Sequence, residues 1–122
     1  MARSGEPWGH AGGVIRLAVD LALVAVFAAI GRLSHHESLS PTGWAHTAWP
    51  FLAGTLAGWA VLAAAQRSPA GLAGGLVVWV ATVAVGMVLR SLTGQGVAVS
   101  FVVVASVVLG VLLLGSRLVW RA

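Results

Sequence analysis

Four long apolar runs, separated by short polar breaks, fill nearly the whole chain. They predict four helices, approximately over residues 13–31, 45–65, 71–92 and 97–116. Each run is close to the ~20 apolar residues with which an α-helix crosses a ~30 Å hydrocarbon core. Membrane strands would alternate apolar and polar residues, and the almost uninterrupted run from Val97 to Leu114 does not. In lipid, such a run closes its own backbone hydrogen bonds as a helix.

The connections between the predicted helices are too short to let the chain cross the bundle. The longest polar break extends from Arg32 to Trp44, and the break from Gln66 to Ala70 is a tight turn containing Pro69. Consecutive helices joined by short loops pack as antiparallel neighbours. The sequence therefore predicts an all-α fold, an integral membrane four-helix up-down transmembrane bundle that forms one domain over residues 1–122.

Composition supports a membrane protein and excludes several other classes. Hydrophobic residues make up 59% of the chain and charged residues 8%, with a mean hydropathy of +0.97. A soluble domain carries about 25% charged residues, so this chain has too little polar surface to cover an apolar core. It has no cysteine, which excludes disulfides and thiol chemistry. All seven basic residues are arginines at scattered helix ends, so no basic face for nucleic acid is predicted.

The distribution of arginines predicts the orientation in the membrane. Cytoplasmic segments are enriched in basic residues. The side that carries both termini holds Arg3, Arg16, Arg67, Arg117 and Arg121, whereas the other side holds Arg32 and Arg90. We therefore expect a multi-pass protein of the bacterial plasma membrane with both termini in the cytoplasm.

Asp20 is the only acid inside an apolar run. Ionisable residues at membrane depth are paired or functional by default, since an isolated charge there costs about 2.5–3.5 kcal/mol. Arg16 lies four residues earlier on the same helix face, which predicts an ion pair. The alternative is a protonatable carboxylate that relays protons or binds a cation. Trp59 and Trp79 fall at similar depth on the next two helices, and we expect one of their indoles to donate to Asp20.

The only plausible metal constellation lies in and just after the first break and consists of His35, His36, Glu37 and His46. Imidazole and carboxylate suit zinc or another transition metal, but the spacing matches no defined site. A solvated outer loop accounts for the same residues, and so does a pH-sensitive loop, because histidine titrates near neutrality. We expect no metal and no cofactor. Trp49 lies near the same predicted membrane surface, as in an aromatic belt.

Arg32 and Arg90 both end helices on the predicted outer side. They are either topology anchors or an anion-attracting mouth formed together with the polar stretch that contains Gln95. Two small-residue motifs, Gly54–Gly58 and Ser106–Gly110, allow helices to approach closely. They favour close packing in general and indicate an oligomer only weakly.

Several of these residues occur in motifs that resemble a known family. The motifs are the stretch from Asp20 to His35, Trp49-Pro50-Phe51, and Thr93-Gly94-Gln95-Gly96. They resemble the small prokaryotic membrane family known as domain of unknown function 3054, over nearly the whole chain. The resemblance implies a multi-pass bacterial membrane protein and supplies no activity. The residues that match the family pattern are Asp20, Arg32, His35, Trp49, Pro50, Arg90 and Gln95.

Three functions are compatible with these features. The first is a small oligomeric transporter or channel for protons, small ions or solutes, with Asp20 central and Arg32, Arg90 and Gln95 at its outer mouth. The second is a non-transporting accessory or structural subunit of a larger membrane complex. The third is a membrane enzyme or metal binder, which we do not expect because no catalytic constellation is present. The expected partners are the lipid bilayer and either further copies of the chain or a larger membrane complex, with no nucleic acid.

Overall fold

The computed structural model describes residues 11–34 and 40–119, and all the regular structure in this part of the chain is helical. The helices are α1 (Ala11–Ser34), α2 (Pro41–Ala64), α3 (Leu72–Leu92) and α4 (Val99–Val119). All of them are long and apolar enough to cross a membrane. The predicted all-α transmembrane bundle is therefore confirmed.

The second helix begins four residues before its predicted start, at Pro41 rather than residue 45. Ser40 caps it, because its side-chain oxygen accepts from the backbone N–H of Gly43 at 3.1 Å. Proline suits the first helical position, where a backbone N–H has no partner in any case. The helix then continues through Pro50. The polar break is consequently shorter than predicted, and His46 and Trp49 lie about one turn further from the start of the helix than predicted.

The helices form a ring in chain order, in which each packs beside its neighbours and α1 closes against α4. The interface between α2 and α3 is the most extensive. Buried apolar side chains fill the centre, namely Val24, Phe27, Phe51, Leu62, Val78, Ala105, Leu109 and Leu113. Most residues of each span face outward, and many of these are large apolar side chains, as expected of a surface in contact with lipid.

Glycines allow α2 and α3 to approach closely. A Cβ atom at Gly54 would lie 2.9 Å from the Cα of Thr82, and one at Gly58 would lie 3.0 Å from the Cα of Val78. Between them the hydroxyl oxygens of Thr55 and Thr82 lie 2.9 Å apart. The other small-residue motif also serves an internal contact, since Gly110 on α4 packs against the ring of Trp79. Both motifs therefore hold this chain together and supply no evidence for an oligomer.

Gly54→Ala is expected to lower the free energy of unfolding by about 1–3 kcal/mol, as overpacking does elsewhere. The added methyl would meet backbone atoms of α3, which cannot move aside alone. Gly115→Ala is the matched control, because a Cβ at Gly115 meets nothing within 4 Å. Reversible unfolding in mixed detergent micelles measures both changes. Equal stability of the two variants would contradict the close α2–α3 packing.

Candidate functional site

One group of polar side chains surrounds Asp20 in the interior of the bundle. The guanidinium of Arg117 donates from Nη1 to Oδ1 and from Nη2 to Oδ2, both at 2.8 Å. Nη2 of Arg16 donates to Oδ1 at 3.1 Å, and the indole N–H of Trp59 donates to Oδ2 at 2.8 Å. Asp20 is 0% and Arg117 1% exposed. Charge-assisted bidentate hydrogen bonds of this kind are among the strongest that a carboxylate and a guanidinium form.

The backbone around Arg117 leaves space for its side chain and supplies acceptors for its N–H groups. Gly75 on α3 makes room for it, because a Cβ there would lie 2.5 Å from its Cδ. Arg117 also donates from Nε to the carbonyl oxygen of Pro69 at 3.0 Å and from Nη1 to that of Leu113 at 3.1 Å. Arg16 also donates to the hydroxyl of Ser116 at 2.8 Å. The Asp20 cluster, which we define as Asp20, Arg16, Arg117 and Trp59, thus ties α1, α2 and α4 together at the end that carries the α2–α3 loop.

The Asp20 cluster corresponds in part to the sequence prediction. Arg16 and Trp59 contact Asp20 as expected, whereas Trp79 donates to the backbone oxygen of Ser106 at 2.9 Å. Sequence reasoning missed Arg117, which it treated only as a basic residue at a helix end. Asp20 and Arg117 lie 97 positions apart, so no local spacing could have linked them.

A second polar group lines a cavity of about 430 Å³ at the opposite end of the bundle. We call this cavity the arginine pocket. Its polar lining consists of Arg32, His46, Thr47, Arg90, Gln95 and Ser100. Its apolar lining includes Phe27 and Phe101. The ends of α1 and α3 and the beginnings of α2 and α4 meet here, because antiparallel helices place alternating termini at each end.

Both arginines of the pocket are held in place by other groups. Nη1 of Arg32 donates to the hydroxyl of Thr47 at 3.0 Å, and the guanidinium lies against Gly43, where a Cβ would be 2.5 Å from Nη2. Arg90 donates to the backbone oxygens of Gln95 and Gly96 at 3.2 and 3.0 Å, and to the side-chain oxygen of Gln95 at 3.2 Å. These contacts hold both guanidinium groups in defined positions at this end of the bundle.

The α3–α4 loop takes its shape from two glycines. Gly94 and Gly96 have φ angles of +76° and +92°, in the region that side-chain-bearing residues rarely adopt. The resulting turn aims the carbonyl oxygens of Gln95 and Gly96 at Arg90. The predicted mouth residues Arg90 and Gln95 are therefore in direct contact.

Aromatic rings lie beneath the arginine pocket. The guanidinium carbon of Arg90 lies 4.3 Å from the centroid of the Phe101 ring, a cation–π contact. Phe101 packs in turn on Phe27 and Phe51, with centroids 6.5 and 6.1 Å away, and Phe27 meets Phe51 edge-on at 5.2 Å. The floor of the pocket is thus apolar and its rim is cationic.

The structure brings four of the predicted site residues together, Arg32, His46, Arg90 and Gln95, and adds Thr47 and Ser100, which sequence reasoning did not select. Trp49 is exposed on the outer surface of α2 and does not line the pocket. His35, His36 and Glu37 lie outside the described residues. Among residues 11–34 and 40–119, no three His, Asp or Glu side chains are placed to hold a metal ion.

Comparison with known proteins gives one match. A family model described as "Protein of unknown function (DUF3054)" matches residues 17–120, which include the Asp20 cluster except Arg16 and all of the arginine pocket. No curated protein and no solved structure matches the chain.

Proposed function

We propose that this chain, which belongs to the DUF3054 family of unknown function and is a multi-pass membrane protein, binds small carboxylate-bearing solutes in the arginine pocket and carries them across the membrane. The observation that carries the proposal is the convergence of Arg32 and Arg90 on one cavity at one end of the bundle. Arginine carries a permanent positive charge and is well suited to binding carboxylates, which favours this class of anion.

The neighbours of the two arginines support the same class of solute. The imidazole of His46, the amide of Gln95 and the hydroxyl of Ser100 add further polar groups around the cavity. Binding sites for small molecules typically combine an apolar wall with a few placed polar groups. The floor formed by Phe27 and Phe101 therefore favours a solute with an apolar portion, such as benzoate or a short-chain carboxylate.

The orientation of the protein belongs to the same proposal. The end with the arginine pocket faces outward, and the end with Arg67 and Arg117 faces the cytoplasm of a bacterial cell, in the plasma membrane. Basic residues are more frequent at the second end, in agreement with the positive-inside rule. The arginine pocket would then receive solute from outside the cell.

The Asp20 cluster serves in this proposal as the fixed end of the bundle. A carboxylate that accepts from two guanidinium groups and an indole is held in one position by several strong hydrogen bonds. This favours anchoring over the alternative in which Asp20 relays protons.

A second candidate is a non-transporting accessory subunit of a larger membrane complex. It is favoured by the packing below the arginine pocket, where Phe51 is 0% exposed and its ring fills the space beside Gly86. Buried apolar side chains fill the centre of the described helices, so transport requires movement or a pathway between copies. An accessory subunit requires neither.

Reconstitution into liposomes tests the proposal. We expect saturable uptake of radiolabelled benzoate or acetate above the level of protein-free liposomes, and no such uptake of choline as a cation control. Binding of benzoate without uptake would support the pocket but not the carrier function. Neither binding nor uptake by folded protein would contradict the proposal and favour the accessory subunit, with co-purifying partners as the next measurement.

A further inference from the structure

A groove of about 570 Å³ runs between α1 and α2 at the end opposite the arginine pocket. Its walls within the span include Leu17, Trp59 and Leu62. Its mouth is formed by Gln66, Arg67 and Ser68, which follow the last turn of α2. We call it the Arg67 groove. It has apolar walls along the helices and a polar, cationic mouth at the end of the bundle.

Gln66 takes up an unusual conformation at this mouth. Its φ angle is +57°, the only positive φ of a non-glycine among the described residues. The backbone around it closes the end of α2, because Gln66 N–H donates to the oxygen of Ala63 at 3.1 Å and Arg67 N–H to that of Leu62 at 2.9 Å. Glycine is the usual residue at this position, since it adopts a positive φ without strain. A strained residue of this kind gives reason to look for a function nearby, and the side chain of Gln66 lines the groove.

We infer that the Arg67 groove binds an anionic phospholipid of the surrounding bilayer. One acyl chain lies along Leu17, Trp59 and Leu62, and the phosphate lies at the guanidinium of Arg67, the hydroxyl of Ser68 and the amide of Gln66. The helices span a membrane, so a groove on their outer surface is filled by acyl chains. Basic pockets between transmembrane helices bind anionic headgroups in the same way.

The bound lipid would reinforce the Asp20 cluster. Trp59 forms a wall of the groove and also donates to Asp20 at 2.8 Å. Pro69, at the mouth, accepts from Arg117 at 3.0 Å. A lipid that fills the groove therefore packs against two residues that hold this cluster, and we expect it to stabilise the folded protein. This inference does not depend on solute binding in the arginine pocket.

Thermal unfolding of the purified protein in detergent tests the inference. The added lipids are phosphatidylglycerol and phosphatidylcholine with identical acyl chains, and soluble glycerol phosphate is the headgroup without chains. We expect phosphatidylglycerol to raise the unfolding midpoint most, with a half-maximal concentration about fivefold higher in Arg67→Gln, since one basic residue near a headgroup contributes about that factor. Native mass spectrometry counts the phosphatidylglycerol molecules that remain bound.

Two further variants make the result specific. Gln66→Gly removes the strained residue and its amide, so we expect a folded protein whose response to phosphatidylglycerol is weaker. Ser91→Ala is the control, because it changes an exposed polar residue at the opposite end of the bundle, and it should keep the full response. Equal shifts by both lipids, an unchanged response in Arg67→Gln, or equal stabilisation by glycerol phosphate would overturn the inference.

Discussion

Asp20→Asn is expected to lower the free energy of unfolding by about 3–5 kcal/mol, the cost of removing one partner from a buried ion pair. Asparagine has almost the shape of aspartate, so packing is preserved and the charge alone is lost. The guanidinium groups of Arg117 and Arg16, which are 1% and 4% exposed, would then lack their carboxylate at membrane depth. Unfolding in mixed micelles, followed by the loss of helical circular dichroism, measures the change in the free energy of unfolding.

Adding Arg117→Met to Asp20→Asn tests whether the loss of stability comes from the unpaired charge of Arg117. Replacing both members of a buried pair by neutral groups is often far less costly than removing one. We therefore expect Asp20→Asn/Arg117→Met to recover a large part of the stability that Asp20→Asn loses. An Asp20→Asn protein with wild-type stability and no flux would contradict the anchoring role and return Asp20 to proton relay.

Arg32→Gln/Arg90→Gln is expected to weaken benzoate binding about 100-fold or more. Hydrogen bonds to charged groups contribute about 1.5–3 kcal/mol each, so the loss of one guanidinium lowers affinity about tenfold or more and the two losses multiply. Glutamine keeps polar length but has neither the charge nor the paired donors. Binding is measured by calorimetry in detergent, with circular dichroism to verify that the variant keeps its helices.

The matched control for this variant is Arg67→Gln. It removes a guanidinium from the other end of the bundle, outside the arginine pocket, so benzoate affinity should stay within about twofold of wild type, the range of surface changes. A large loss in Arg67→Gln would mean that overall charge governs binding rather than the pocket. Unchanged binding in the double variant would contradict the proposed site.

The boundaries of the helices could be predicted from the sequence to different degrees. The apolar runs predicted the spans because the thickness of the hydrocarbon core sets the length of an apolar helix. The start of α2 was predicted too late, at residue 45, since Thr42 and Gly43 look like loop residues. The signal was the pair Ser40–Pro41, a capping residue followed by a proline at the first helical position.

The candidate sites depended on longer-range information. That Arg32, Arg90 and Gln95 lie at one end follows from antiparallel topology, and the sequence alone predicted a common mouth. That they share a cavity with His46 and Ser100 above Phe27 and Phe101 is a result of how the helix ends pack. Sequence spacing carries no information on which faces of separate helices turn toward each other.

By itself the sequence determined a four-helix membrane bundle and the Arg16–Asp20 pair, because bilayer thickness and the helical repeat are local rules. Only the tertiary structure decided that Arg117 binds Asp20 and that Gly54 and Gly58 serve an internal interface. These contacts join residues on different helices, and they form only where rotation and crossing bring the side chains together. In lipid, close packing and polar pairing decide which helix faces meet, since apolar faces are equally well solvated by acyl chains.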